Sequence, residues 1–75
     1  MKILVTDDSK MARKMVIKTL NEDIEEDLEI FEAQNGQEAL DLYKEIFPTI
    51  VFLDLTMPIM DGFTALEKIK EFDKN

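Results

Sequence analysis

The sequence contains no cysteine and no histidine among its 75 residues. The lack of cysteine excludes disulfides and thiolate metal sites, and the lack of histidine excludes imidazole ligands, an imidazole general base and a Ser-His-Asp triad. Two glycines in total are too few for a dinucleotide-binding or P-loop fingerprint. Any metal ion bound to this chain must therefore be held by oxygen atoms.

Positive charge is also scarce. Nine Lys and Arg residues stand against 17 Asp and Glu residues, and the resulting net charge of -8 repels nucleic-acid phosphates and anionic membranes. The longest apolar run, Ile50–Leu53, is too short to span a bilayer, and the N-terminus turns acidic at Asp7 where a signal peptide would stay apolar. We expect one small cytoplasmic domain with no direct nucleic-acid or membrane partner.

Short apolar segments alternate with segments of helical periodicity. The strands are predicted at Ile3–Val5, Leu28–Ala33 and Ile50–Leu53. A helical segment follows each of them, and these connections are too long for hairpins. Parallel strands joined by helical crossovers are expected, so the predicted fold class is α/β. The charged residues within the second segment are typical of an edge strand.

The helices carry their own boundary signals. Ser9 and Asp61 are plausible N-caps of the first and third helices, and Asn35-Gly36 marks a turn before the second. An acidic linker is predicted from Asn21 to Glu26. Arg13 and Lys14 are predicted to lie on a solvated face of the first helix. The apolar face of the third helix is expected to consist of Phe63, Leu66, Ile69 and Phe72.

Aspartates follow two of the predicted strands. Asp7 and Asp8 come after the first, and Asp54 comes directly after the third. If those strands are neighbours, the three carboxylates meet at one edge of the sheet, where open α/β sheets bind ligands. Carboxylate oxygens suit Mg²⁺ or Mn²⁺, and Mg²⁺ commonly joins protein carboxylates to a phosphate. The cluster thus predicts a divalent metal and a function that involves phosphate.

A purely structural interpretation stays open for each aspartate alone, since Asp often caps helices or makes turns. This interpretation is the better one for Asp61. It is weaker for Asp54, because a charge directly after four apolar residues lies near the core, where an unpaired charge is costly.

Three segments together resemble the receiver domain of response regulators in two-component signalling. They are ILVTDDS at 3–9, AQNGQEAL at 33–40 and FLDLTMPIMDG at 52–62. The resemblance implies a flavodoxin-like, doubly wound parallel sheet, here with three βα units in the strand order 2-1-3. It also implies a phosphoacceptor signalling domain rather than an enzyme.

The resemblance further assigns roles to individual residues. Asp54 would accept a phosphoryl group from a sensor histidine kinase. Asp7 and Asp8 would hold Mg²⁺ together with Asp54, and the main-chain carbonyl of Thr56 would complete the protein ligands. The resemblance also implies that a basic residue near the start of the first helix can lie close to the acidic site, where this chain has Arg13 and Lys14.

A complete receiver resembles five βα units, so residues 1–75 are expected to form a partial receiver domain without strands four and five. The hydroxyl and lysine that those strands supply to the phosphoryl group have no counterpart here. The third strand would then lie at an open edge, and exposed edges pair. We expect a homodimer across that edge or over the uncovered sheet face. The alternative function is a structural α/β dimer that does not transfer phosphoryl groups.

Overall fold

The computed structural model describes residues 1–54 and 60–73. Strands and helices alternate within these ranges, which confirms the predicted α/β class. The elements are β1 (Lys2–Thr6), α1 (Lys10–Asp23), β2 (Glu29–Ala33), α2 (Gly36–Ile46), β3 (Ile50–Leu53) and α3 (Gly62–Phe72). None of the helices in the described part of the chain has the length and apolar character needed to cross a membrane.

The three strands form one parallel sheet in the order β2-β1-β3, as predicted. The central strand β1 is the most buried of the three, and all of its residues from Ile3 to Thr6 are buried. Leu4 pairs with Phe31 of β2 and with Val51 of β3. The position of β2 at one edge explains why a strand with glutamates can belong to the sheet, since an edge strand is partly solvated.

Among the described residues, the largest fully buried side chains belong to β1. Leu4 packs in a cluster with Ala33 and Ala39, on the side of the sheet that α2 covers. Successive residues of a strand point to opposite faces, so Ile3 and Val5 lie on the α1 side. All three are at most 1% exposed. Complete burial of such a side chain contributes about 1.5–3 kcal/mol, so β1 carries much of the stability of the fold.

Each helix begins at a side-chain cap. The Ser9 hydroxyl accepts a hydrogen bond from the Ala12 N–H at 3.2 Å, and the Asp61 carboxylate accepts one from the Thr64 N–H at 2.8 Å. Both predicted caps are thus confirmed. Asn35 caps α2, because its side-chain oxygen accepts a hydrogen bond from the Glu38 N–H at 2.8 Å.

The end of α1 differs from the prediction. The predicted Asn21–Glu26 linker starts too early, since α1 continues to Asp23. No glycine or proline interrupts these residues, and solvent-facing polar side chains are compatible with a last helical turn.

The buried face of α3 also differs from the prediction. Gly62, Ala65 and Ile69 are buried, whereas Phe63 is 63% exposed and Phe72 is 45% exposed. Because α3 packs against α2, small residues at the contact allow the two helices to approach closely. The predicted stripe is therefore correct at Ile69 and otherwise lies beside the buried one.

The start of α2 shows a similarly close approach. The Gly36 N–H donates to the Met60 carbonyl oxygen at 2.9 Å. A Cβ atom at position 36 would overlap that carbonyl group, so only glycine fits there without a shift of the backbone. This contact fixes the segment that leads into α3 against the first turn of α2.

Candidate functional site

The carboxyl ends of β1 and β3 bring three aspartates together. Asp7, Asp8 and Asp54 each offer a carboxylate oxygen, and these oxygens lie within 4.8 Å of one another. The parallel register that pairs Thr6 with Leu53 places the following residues side by side. In addition, the Asp54 N–H donates to the Thr6 carbonyl oxygen at 3.0 Å. The predicted convergence of the three carboxylates is confirmed.

The two aspartates that follow β1 have different surroundings. Asp7 is half-buried, and its N–H donates to the Ala33 carbonyl oxygen at 3.1 Å. Its Oδ1 accepts a hydrogen bond from the Ser9 N–H at 2.9 Å. Asp8, by contrast, is exposed. The main chain of Asp7 is therefore bonded to the sheet and its carboxylate to the start of α1, whereas Asp8 faces solvent.

A cleft of about 230 Å³ opens beside the cluster. Asp7 and Asp54 line it together with apolar side chains from β1, β3 and α1, among them Val5, Val16 and Phe52. The cleft therefore combines carboxylates with apolar side chains beside the cluster.

The chemistry of this donor set fits a hard divalent cation. Three carboxylates lie close together, and like charges at short range are relieved by a cation that binds oxygen. Softer metals favour thiolate or imidazole ligands, which this sequence does not contain. Asp7, Asp8 and Asp54 are thus suited to Mg²⁺ or Mn²⁺.

Thr56 and Asp61 were also singled out in the sequence. Thr56, the expected carbonyl ligand, lies outside the described residues. Asp61 acts as the cap of α3, and the hydrogen bonds that it accepts from Thr64 hold the pKa of the Asp61 carboxyl below its usual range.

Arg13 does not lie on the solvated face predicted for it, and its position beside Asp7 agrees with the alternative that the resemblance offered. Its side chain is only 12% exposed, and its Nε donates to Glu32 Oε1 at 2.9 Å. Its Nη1 donates to the Asp7 carbonyl oxygen at 2.6 Å. The neighbouring Lys14 is exposed, as predicted. Only the pairing of β2 with β1 places Glu32 within reach of α1, so periodicity alone does not reveal this contact.

Thr6, the last residue of β1, has a buried polar side chain. It is 2% exposed, and within residues 1–54 and 60–73 its hydroxyl has no hydrogen-bond partner. A hydroxyl buried in this way costs stability, and nothing in the sequence pattern distinguished it from an ordinary residue at a strand end.

Similar proteins were found by sequence. Chemotaxis protein CheY of Halobacterium salinarum is 47% identical over 72 residues, which are 95% of this chain and 57% of that protein. CheY of Bacillus subtilis is 42% identical over 73 residues, which are 96% of this chain and 58% of that protein. The chain thus spans less than two thirds of the length of these relatives.

Solved structures of CheY proteins also resemble this chain. A chain from the CheX-CheY-BeF3-Mg²⁺ complex of Borrelia burgdorferi superposes with a TM-score of 0.83 and 39% identity, over 99% of this chain and 55% of that one. The fold is therefore the flavodoxin-like α/β fold of CheY structures. The family described as the response regulator receiver domain matches residues 3–75. The chain belongs to the response regulator receiver domain family.

Proposed function

We propose that this chain is a phosphoacceptor module of a two-component phosphorelay, in which Asp54 receives a phosphoryl group from a sensor histidine kinase. The observation that carries the proposal is the meeting of three carboxylates within 4.8 Å at the carboxyl ends of β1 and β3. Receiver domains are signalling domains that bind Mg²⁺ at an acidic cluster. A cytoplasmic location is part of this proposal.

Asp7, Asp8 and Asp54 are the residues proposed to hold the Mg²⁺ ion, with the main-chain carbonyl of Thr56 as a further ligand. Their oxygen donors and short mutual distances support this assignment. When bound, the ion neutralises charge on the phosphoryl oxygens, which lowers the repulsion between an anionic nucleophile and an anionic donor.

Asp54 is proposed as the nucleophile. One of its carboxylate oxygens forms a bond to phosphorus while the phosphorus–nitrogen bond of the donor phosphohistidine breaks, and the departing imidazole nitrogen takes up a proton. The half-buried Asp54 is positioned by its main-chain bond to β1 and borders the cleft beside the cluster. The product is an aspartyl phosphate.

The extent of the domain is a further part of the proposal. Residues 1–75 would correspond to the first three βα units of a receiver, as a partial receiver domain. Support comes from the observed 2-1-3 strand order and from the 57% share of the Halobacterium CheY that the chain spans.

Intact mass spectrometry after incubation with Mg²⁺ and a small acyl phosphate tests the transfer. We expect one phosphoryl adduct on the unaltered protein and none on Asp54→Asn. Asp41→Asn is a matched control, because Asp41 is an exposed aspartate on α2 and is not part of the cluster. An adduct of equal yield on Asp54→Asn, or no adduct on the unaltered protein, contradicts the proposal.

A second candidate function is a structural α/β homodimer without phosphoryl transfer. The described sheet pairs β3 only with β1, which leaves its other edge open in this part of the chain. Beside this edge, Phe52 is 38% exposed and Met15 is 65% exposed. Open strand edges and adjoining apolar surface favour association. We propose that two copies meet across β3 or over this face.

Light scattering at high micromolar concentration tests the association. We expect a dimer for the unaltered protein and a shift toward monomer for Phe52→Ser. Phe63→Ser is the matched control, because Phe63 is an exposed phenylalanine on α3. A monomer at all concentrations contradicts the dimer. A dimer without any phosphoryl adduct favours the structural role over the phosphoacceptor.

A further inference from the structure

Arg13 links three parts of the structure around the carboxylate cluster. It belongs to the first turns of α1, and its guanidinium reaches both the loop after β1 and the edge strand β2. The bond to the Asp7 carbonyl oxygen is 2.6 Å long, and the bond to Glu32 is 2.9 Å long. Hydrogen bonds from a charged donor are stronger than neutral ones. Arg13 therefore fixes the peptide that carries Asp7.

The main chain of Asp7 is held from both sides. Its N–H is bonded to Ala33 of β2 at 3.1 Å, and its carbonyl oxygen is bonded to Arg13. The side chain of Asp7 accepts a third hydrogen bond, from the Ser9 N–H. Loss of the Arg13 side chain would leave the Asp7 carbonyl without this donor, and the main chain of Asp7 would keep its bond to Ala33.

The positive charge of Arg13 and its position are expected to act on Mg²⁺ affinity in opposite directions. A guanidinium near a metal site repels a cation, so its positive charge by itself weakens Mg²⁺ binding. The ion pair with Glu32 offsets much of this charge. An influence of Arg13 that strengthens metal binding must then come from the geometry that it imposes on Asp7.

We propose that Arg13 is a positioning residue of the metal site, which holds the Asp7 main chain so that Asp7 and Asp8 meet Asp54. The inference rests on the proposed function, because it assumes that the cluster binds Mg²⁺. The effect is expected to resemble that of other residues that orient metal ligands, whose loss lowers metal affinity about 10-fold to 100-fold.

Isothermal titration with Mg²⁺ tests the inference without any transfer reaction. Arg13→Met is expected to raise the Kd for Mg²⁺ about tenfold. Arg13→Lys keeps the charge but not the forked geometry, and is expected to give an intermediate Kd. Lys14→Gln removes the same charge from an exposed neighbour on the same helix, and its Kd should equal or fall slightly below that of the unaltered protein.

Amide hydrogen exchange in the metal-free protein provides an independent readout. The Asp7 and Ser9 amides should exchange faster in Arg13→Met than in Lys14→Gln. If Arg13→Met does not fold, as judged by circular dichroism, Arg13→Lys decides the question. Metal affinity that is unchanged or tighter in the folded Arg13 variants overturns the inference.

The outcomes separate this inference from the proposed function. If the unaltered protein binds Mg²⁺ but no variant differs from it, the inference fails and the phosphoacceptor proposal stands. If Arg13→Met binds Mg²⁺ weakly but the unaltered protein forms no phosphoryl adduct, the inference stands and the transfer fails. No Mg²⁺ binding by the unaltered protein overturns both the inference and the proposed metal site.

Discussion

The two faces of the sheet are covered in different ways. On one face, α2 and α3 pack together, and Leu4 is enclosed with Ala33 and Ala39. On the other face, α1 is the covering helix, and none of its residues is buried. A groove of about 330 Å³ runs along this second face between α1 and Phe52 of β3. Both faces of the sheet carry apolar side chains. The two faces therefore differ in how completely helices cover them and not in how apolar they are.

The size of the residues at the helix contacts explains much of the difference. Ala39 of α2 and Ala65 of α3 are fully buried, and such small side chains allow close approach of the helices. In α1, by contrast, Met11 is 73% exposed and Met15 is 65% exposed. One face of the sheet is therefore enclosed by two packed helices. The other face buries Ile3 and Val5 but also leaves apolar surface exposed along α1 and β3.

The largest expected effect is a difference in stability loss between two substitutions, one on each face of the sheet. Leu4→Ala should lower the free energy of unfolding by about 3 kcal/mol, because it leaves a cavity in the enclosed cluster. Phe52→Ala should cost about 1 kcal/mol or less, because this ring is already partly solvated. Urea unfolding followed by circular dichroism measures both. Equal losses would show that the two faces are packed alike.

A smaller effect is expected at the contact between α2 and the segment before α3. Gly36→Ala should lower the free energy of unfolding by about 1–3 kcal/mol, because the new Cβ overlaps the Met60 carbonyl. Helix propensity alone predicts the opposite sign, since alanine is favoured over glycine by about 1 kcal/mol. Gln37→Ala, at the exposed next position, is the control for urea unfolding. A more stable Gly36→Ala protein would show that this contact is loose.

Removal of the buried hydroxyl of β1 should have a modest effect of opposite sign. Thr6→Val replaces a hydroxyl that has no partner among the described residues, and should raise the free energy of unfolding by about 1 kcal/mol. Thr49→Val, at an exposed position, serves as the control. The midpoint of urea unfolding provides the measurement. A less stable Thr6→Val protein would mean that the hydroxyl is satisfied in solution.

The smallest effect concerns the outer end of the packed face. The Tyr43 hydroxyl donates to Asp73 Oδ2 at 2.9 Å, and this hydrogen bond raises the pKa of Tyr43 above its ordinary value. The folded state therefore holds the tyrosine proton more tightly than the unfolded state. The contribution to stability is complete below about pH 10 and is lost as the pH rises through the folded-state pKa.

Urea midpoints at about pH 9 and about pH 11 test this sign. The unaltered protein should lose more stability over this interval than Tyr43→Phe, whose lysines titrate in the same way. An identical loss in both proteins would show that the Tyr43–Asp73 bond does not link α2 to the end of α3 in solution.

Local signals in the sequence were sufficient for much of the fold. Ser9 and Asp61 cap helices because their side chains bond to main-chain groups three residues away, which is a local interaction. The strands were identified by short apolar runs, and the resemblance to receivers supplied their order. The end of α1 was misplaced because residues 21–23 are polar, although they continue the helix. The buried stripe of α3 depends on its contact with α2, which periodicity does not describe.

The sequence likewise predicted some residues of the candidate site better than others. The sequence identified Asp7, Asp8 and Asp54, because acidic residues after buried strands are unusual enough to be noticed. The solvated face predicted for Arg13 was wrong, and only the resemblance to receivers indicated that Arg13 or Lys14 could lie close to the acidic residues. The contact of Arg13 with Glu32 exists only because β2 lies beside β1 in the observed register.

The sequence by itself determined the elements, their caps and the acidic residues at the ends of two strands, because these depend on interactions between residues close together in the chain. Only the tertiary structure decided which faces are enclosed, how near the three carboxylates lie and what Arg13 holds. Those features depend on the register and packing of segments that are far apart in sequence, and no local pattern specifies such distances.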